Sequence, residues 1–447
     1  METQTIIEAD IGAVFESQKR KALQLKKTTP GDRISRLLIF REAVNRNSEN
    51  ITKALYNDYK KPVEEAILEV GWITDEIDFV TTHLESWMKA QVVSTPEALG
   101  GEAVVSKIIL EPKGVCLFLT PWNYPFLLTF RPLVACLAAG NTAIIKPSEL
   151  TPYSSKLIRE IIESVFSEDE VLVVEGGAEV ASELLELPFN HIFYTGGTRV
   201  GKIVMKAAAG HMSSVTMELG GKCPSIIDDS ADFADAAGKI VWTKFLNCGQ
   251  TCITTDYILV SEHRKDEFVD HLKSTIVNMY GADGPGIASP KYARMVNNNR
   301  YRRVKSLLED ALLNGAELVT GGKTDDSENY ISPTLLDHVT PGMAIMKEEI
   351  FGPLLPVLTY RTLKDAIEFV NRRERPLGVY IYSKDKDAAE MVINSTTAGA
   401  SVINHTLMHY VSPYLPFGGV GNSGIGRGNG YYGFLDFSNQ RPVLEMP

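Results

Sequence analysis

Residues 190–210, NHIFYTGGTRVGKIVMKAAAG, decide the fold. A β-branched and aromatic run ends at Tyr194. Gly196 and Gly197 then make a tight turn, and a helix opens near Thr198, carries Gly201 in its first turn and stops at Gly210. Strand, glycine turn and helix form one piece of a parallel crossover unit. The free backbone N–H groups at such a helix start can receive a pyrophosphate. The dinucleotide fingerprint asks for G-x-G-x-x-G, and Thr198 stands where its second glycine belongs. The same residues therefore also read as a plain turn joining a strand to a helix.

The alternation continues on either side. GVCLFL (114–119), NTAIIKP (141–147) and VLVVEGG (171–177) read as strands, and Thr151 with Pro152 starts a helix through SSKLIREIIESVF (154–166). Strands alternating with helices give a doubly wound α/β sheet. A second α/β section follows from about residue 220, with YILVSE (257–262), RVKSLLEDALLNGAELVTGG (303–322) and DAIEFVNRRERPLGVYIYS (365–383). Residues 1–90 read mostly as helix, with Asp32 capping a segment that repeats Ile34, Leu37, Leu38 and Arg41 at helical spacing. After STPEALGGE (94–102), AVVSKIILEPKG (103–114) reads as a short hairpin or edge strand. LPFGGVGNSGIGRGNGYYGF (415–434) is expected to be irregular, since glycine is costly inside regular elements.

A chain of 447 residues exceeds one hydrophobic core, so two or three domains are expected. Its 44% hydrophobic and 23% charged residues are those of a globular protein, and a net charge of -11 disfavours nucleic acid and anionic membranes as partners. Five cysteines give no disulfide framework and suit a reducing compartment. METQTIIEAD (1–10) does not read as a signal peptide, and the longest apolar run, GVCLFLTPWNYPFLLTF (114–130), is broken by Asn123 and two prolines. These features predict a soluble, cytoplasmic protein without a membrane anchor.

Several constellations can carry chemistry. Glu218, in MELGGK (217–222), lies 22 residues after Gly196, near the spacing of a ribose-binding acid, yet it also precedes two glycines where backbone can approach a substrate closely. Ribose ligand and catalytic base are both open to it. Lys146 and Glu149 follow the carboxyl end of a strand, where ligands of open α/β sheets bind, although solvated residues are common there too. Asn123, between Trp122 and Tyr124, can donate to an oxyanion or simply turn the chain before Pro125. In NCGQTCIT (247–254), Cys248 and Cys252 lack a nearby histidine and have poor zinc spacing; His405 and His409 lack the glutamate of H-E-x-x-H. No metal site is expected. Either thiol can be an inert core residue or a nucleophile.

Taken together, PWNYP, AAGNTAIIKPSELTP, FYTGGTRVGK, MELGGK, NCGQTC, EEIFGP and LPFGGVGNSG resemble the aldehyde dehydrogenase superfamily in order and spacing, from roughly residue 30 to residue 440. The short N-terminus and the FGGVGNSG form resemble its class 3 branch, which handles fatty and aromatic aldehydes. The resemblance implies a Rossmann-type cofactor domain (1–97 and 113–219), an α/β catalytic domain (220–418) and a small β oligomerisation arm (98–112 and 419–447). It implies oxidation of an aldehyde to the acid with NAD, NADP also being possible. It assigns Cys252 as nucleophile, Glu218 as general base and Asn123 as oxyanion donor. Lys146 and Glu149 fall at the adenine-side ribose, Gly196, Gly197 and Gly201 at the pyrophosphate, and Glu349 and Phe351 beside the nicotinamide ribose and ring. It implies a homodimer or dimer of dimers. The alternatives are a semialdehyde dehydrogenase of small-metabolite catabolism, a cofactor-free cysteine hydrolase and a non-catalytic binding protein on the same scaffold. Cys248 stands where relatives more often show a small residue. CITTDY (252–257), Asn404–His405 and GRGNGYYGF (426–434) also depart from the pattern, and these three are expected at the substrate mouth.

Overall fold

The parallel strands Val115–Leu119, Thr142–Lys146, Val171–Val173, His191–Gly196 and Ser214–Leu219 form the first sheet in this computed structural model, which describes residues 11–447. Numbered along the chain, their spatial order is 3-2-1-4-5, the doubly wound arrangement, with Gly424–Ile425 added antiparallel at the edge. Val115, Leu117 and Leu119 face one side, packed with Phe15, Leu184 and Val204, while Cys116 and Phe118 face the main core. Burial on both faces is why these strands read as continuous apolar runs. The leader reading of residues 1–10 lies outside the described residues.

The second sheet has seven strands. Pro224–Ile227, Tyr257–Ser261, Glu317–Thr320, Thr334–Asp337, Leu354–Tyr360, Gly378–Tyr382 and Ala400–Ile403 lie in the order 3-4-5-2-1-6-7, and only the Glu317–Thr320 edge strand is antiparallel. A third, antiparallel sheet puts Val105–Pro112 between Gln91–Val93 and Ser438–Glu445, with eight residue pairs on the latter side. AVVSKIILEPKG is thus the middle strand of a three-stranded sheet, not an edge, because its second partner lies more than 300 residues away. Within 419–447, only Ser438–Glu445 belongs to this sheet.

The N-terminal quarter is helical as expected, over Ile11–Leu25, Pro30–Arg46, Ser48–Tyr59 and Val63–Trp87. The cap is Thr29, not Asp32. The Thr29 hydroxyl accepts from Asp32 N, the Asp32 carboxylate accepts from Thr29 N, and Pro30 fills the first helical position. Thr151 makes no side-chain cap on Pro152–Glu163. Asp58 caps that helix from a distance, accepting from Tyr153 N at 3.1 Å, Ser154 N at 2.9 Å and Ser154 Oγ at 2.6 Å. The glycine-rich segment is largely irregular up to Asn429, apart from the short strand Gly424–Ile425, with Gly421 and Gly426 at φ +65° and +89°. Gly430–Asp436 is a helix instead. Its glycines serve close approach: Gly430 N donates to Glu76 at 2.7 Å, and a Cβ on Gly433 would meet Ala135 at 3.1 Å.

No helix among the described residues is long and apolar enough to cross a membrane. Asp58→Ala removes three bonds from the start of Pro152–Glu163. It is expected to cost about 1–2 kcal/mol and lower the urea midpoint, whereas Asp58→Asn should retain part of the cap.

Candidate active site

Helix Phe233–Phe245 runs into a turn that few sequences can adopt. Asn247, Cys248 and Gly249 are left-handed in succession, at φ +54°, +55° and +71°. Such a conformation costs roughly 1–2 kcal/mol for each side-chain-bearing residue. Buried partners hold it. Asn247 N donates to the Glu65 carboxylate at 2.7 Å, and Asn247 Nδ2 donates to Asn123 O at 2.8 Å. Gln250 is fully buried; its Nε2 donates to Asn247 O at 2.9 Å and Arg294 O at 3.0 Å, and its Oε1 accepts from Val296 N at 3.0 Å. A Cβ on Gly249 would strike the carbonyl of Gly352, so only glycine lets EEIFGP pack against this turn.

Beyond the turn, Cys252 is half-buried, while Cys116, Cys136, Cys223 and Cys248 are buried. Cys248 points into the core, with Sγ 3.6 Å from Tyr292 Oη and 3.9 Å from Met295 Sδ, and burial pushes its pKa up to about 12. Asn123 Nδ2 donates to Gln250 O at 3.0 Å, two residues from Cys252, and the Tyr124 hydroxyl meets Thr251 Oγ1 at 3.0 Å. The Cys223 thiol donates to Cys252 O at 3.5 Å. Burial holds the Cys252 thiol well above its ordinary pKa; Glu349, Cys223 and Glu218 add to this, and its own backbone N–H opposes it.

Glu218 is the penultimate residue of strand Ser214–Leu219, paired with Thr195 on one side and Gly424 on the other. It is buried and neither carboxylate oxygen has a hydrogen-bond partner. Burial drives its pKa well above the carboxylate range, Asp436 adds to this and Arg427 opposes it. A buried carboxyl without hydrogen-bond partners, whose charge the Cys252 thiol senses, is a candidate for proton transfer.

The second group lies along the carboxyl ends of the first sheet. Lys146 Nζ donates to Glu149 at 2.8 Å; burial raises the Glu149 pKa, but Lys146 and a backbone N–H outweigh it and leave it lowered. Gly197 caps helix Thr198–His211 with extended backbone, and neither it nor Gly196 has positive φ. The tight-turn reading therefore gives way to a spatial one. A Cβ on Gly197 would meet nothing within 4 Å, so the helix start faces open space, while a Cβ on Gly201 would meet Leu219 at 2.9 Å, so its absence lets the helix settle there. Glu349 packs against Gly220, and burial first, then Asp256, pushes its pKa up to about 8 against Gly221 N–H, Lys222 and Arg303. Phe351 meets Trp122 edge-on at 5.3 Å. Lys222 anchors this region, pairing with Asp256 and donating to the carbonyls of Ile345 and Glu348 at 2.8 Å each. This donor set fits a dinucleotide: a carboxylate near each end for ribose hydroxyls, and an open helix start for the phosphates.

Comparison with known families matches the description "Aldehyde dehydrogenase family" over residues 1–443. The chain belongs to the aldehyde dehydrogenase family. It is an NAD(P)-dependent aldehyde dehydrogenase that oxidises aldehydes to acids. It is 43% identical to the 4,4'-diaponeurosporen-aldehyde dehydrogenase of Staphylococcus aureus, covering 97% of this chain and 92% of that one. It is 42% identical to rat aldehyde dehydrogenase family 3 member A2, covering 92% and 84%. The solved structure of Staphylococcus aureus AldH in its substrate-bound state superposes with a TM-score of 0.93 at 42% identity, covering 97% and 94%.

Not every departure from the family's sequence pattern reaches the substrate mouth. Thr254 and Thr255 turn inward, the first donating to Thr243 O at 3.0 Å and the second bonding Ser225 Oγ at 2.7 Å. Asn404 braces Ser383, and His405 accepts from Thr406 N at 2.9 Å. Residues that sequence reading missed include Glu65, Lys222, Asp256 and Tyr410, whose phenol senses both Arg131 and Cys252. Their partners are far away in the chain, and no spacing announces them.

Differences in burial predict the order of alkylation. Iodoacetamide on the native enzyme is expected to modify Cys252 first, read by peptide mass spectrometry. Gln250→Leu, which loosens the left-handed turn, should bring Cys248 into the early-labelled set.

Proposed function

We propose that Cys252 is the nucleophile, Glu218 the general base and Asn123 the oxyanion donor of this aldehyde dehydrogenase. The observation that carries the reading is Glu218, buried, unpartnered and electrostatically coupled to the Cys252 thiol. The resting thiol is protonated, so a base must take its proton before sulfur attacks the aldehyde carbon. The new oxyanion takes the second N–H of the Asn123 amide, whose first N–H holds Gln250 O, together with the Cys252 backbone N–H. The nicotinamide, when bound, supplies the hydride acceptor. Loss of hydride leaves the carbon as a thioester on Cys252. With the thiol proton passed to solvent, Glu218 removes a proton from water as it attacks the thioester; the C–S bond breaks, the acid departs, and the sulfur leaves as thiolate and takes the proton back from Glu218.

Lys146 and Glu149 would hold the adenine-side ribose, Gly196, Gly197 and Gly201 the pyrophosphate, and Glu349 and Phe351 the nicotinamide side. Glu149 would accept a bond from a 2′-hydroxyl and repel a 2′-phosphate, which favours NAD over NADP. The substrates we propose are medium- or long-chain aliphatic and aromatic aldehydes. The domain division read from sequence stands as part of this proposal, as does a homodimer or dimer of dimers, supported by the outer edge of Ser438–Glu445, which has no partner strand among the described residues. Five free cysteines support a cytoplasmic location.

Glu218→Gln is expected to give a burst of NADH of about one per active site and then turnover lowered by 10²-fold or more, followed at 340 nm. Unchanged steady turnover would remove Glu218 from the base role. The pH profile tests the same groups. A carboxyl whose pKa is raised stays protonated to higher pH, so kcat should climb with pH from 6 towards 9 as Glu349, pushed up to about 8, loses its proton, with Glu218 shifted in the same direction. A profile flat across that range would overturn the assignment.

A further inference from the structure

Arg294 carries a charge that the chain leaves unmatched. The residue is 5% exposed and precedes helix Asn298–Leu313. Its Nη1 donates to Tyr292 O at 2.6 Å and Ala293 O at 3.4 Å, its Nη2 donates to Ile287 O, and its guanidinium lies 5.1 Å from the centre of the Tyr330 ring. All these partners are neutral. Its Nε has no acceptor, and among the described residues no carboxylate lies within ion-pair distance of it. A buried charge is ordinarily paired, because an isolated one is costly to take out of water.

The same residue lines a pocket of about 330 Å³, large enough for a small organic molecule. Tyr56, Lys60, Ile287, Ser289 and Glu328 share the lining. Lys60 Nζ lies 4.7 Å from the centre of the Tyr56 ring and has no carboxylate partner among the described residues. Two cations therefore face one acid, Glu328, which is exposed and paired with neither. That excess suits a dianion. A guanidinium matches the oxygens of a phosphoryl group, and the exposed Tyr56 ring and Ile287 chain offer an apolar face to whatever carries it.

The Arg294 backbone is joined to Asn123 from both sides. Arg294 N donates to Tyr59 O at 2.8 Å, and the Tyr59 hydroxyl donates to Asn123 O at 2.9 Å. Arg294 O accepts from Gln250 Nε2 at 3.0 Å, and Gln250 O accepts from Asn123 Nδ2 at 3.0 Å. Whatever steadies Arg294 also steadies the Asn123 amide.

We propose that this pocket binds a small organic phosphate, its phosphoryl group held by Arg294 and Lys60, and that its occupancy braces Asn123 and raises turnover. The binding stands apart from the catalytic reading; the link to turnover rests on Asn123 being the oxyanion donor.

The test is calorimetric titration of the full-length enzyme saturated with NAD, so that the cofactor's own phosphate site is filled. Phenyl phosphate is expected to bind at one site per chain. Inorganic phosphate, which lacks the ring, should bind at least threefold more weakly, and benzoate, with a single charge, at least fivefold more weakly. Lys60→Met should weaken phenyl phosphate at least fivefold, and Glu328→Gln should tighten it at least twofold. Lys53→Met, on the helix before Lys60 but outside the pocket, should change nothing. Arg294→Met should abolish binding; if it does not fold, Lys60→Met alone decides. No binding of phenyl phosphate at millimolar concentration, benzoate binding as tightly, or a Lys60→Met affinity identical to wild type overturns the site. In steady state, phenyl phosphate should raise kcat for hexanal at least twofold and leave the KM for NAD unchanged. Unchanged or lowered kcat in an enzyme shown to bind it overturns the link to Asn123 and leaves the site. Full turnover by Asn123→Ala overturns the oxyanion reading, and the link with it, without touching the calorimetric result.

Discussion

The Gln250 carboxamide, sealed from solvent, ties Asn247, Arg294 and Val296 together and so fixes three successive left-handed residues. Left alone, that backbone would relax to a cheaper conformation. Held, it sends Cys248 into the core and brings Cys252 to the half-buried position beside Asn123. Glu65 reinforces the hold through Asn247 N, although burial, against Lys61 and that same N–H, pushes its carboxyl up to about 7. The strain is local, and the groups that balance it come from helix Val63–Trp87, the segment before helix Asn298–Leu313 and the Gly352 carbonyl. The reactive turn is thus a place where remote parts of the chain must all be correct.

The electrostatics around Cys252 run against a preformed thiolate. Two raised carboxyls and a second thiol surround it, and only its own backbone N–H favours the anion. Such surroundings disfavour the thiolate, the form that oxidants and electrophiles attack. Lys146 is committed to Glu149 at 2.8 Å, so it supplies no free charge to the thiol.

Much of this was legible in the sequence because it depends on local patterning. Buried parallel strands such as VCLFL and TAIIK read as apolar runs, and the glycine punctuation at 196–201 marked a helix start. The family's motifs, once recognised, named the residues around the thiol. What stayed hidden depends on pairing across distance. Asp58 replaces Thr151 as a cap from nearly a hundred residues away, and Glu76 meets Arg131 across 55. The roles of glycine were also ambiguous: at 197 and 201 the residue provides room, at 249 it provides both conformation and room, and at 430 it opens a helix where composition suggested a loop.

The edge strand Gly424–Ile425 has one further consequence. It lies against Met217 and Glu218, and Ser423 O accepts from Leu219 N at 3.1 Å. These residues leave the ribosome some two hundred positions after the strand they complete. During synthesis the thiol at 252 and the carboxylate at 218 are therefore both present well before the segment that closes over the carboxylate. The order of translation therefore leaves the Glu218 edge of the first sheet uncovered until Gly424–Ile425 docks on it.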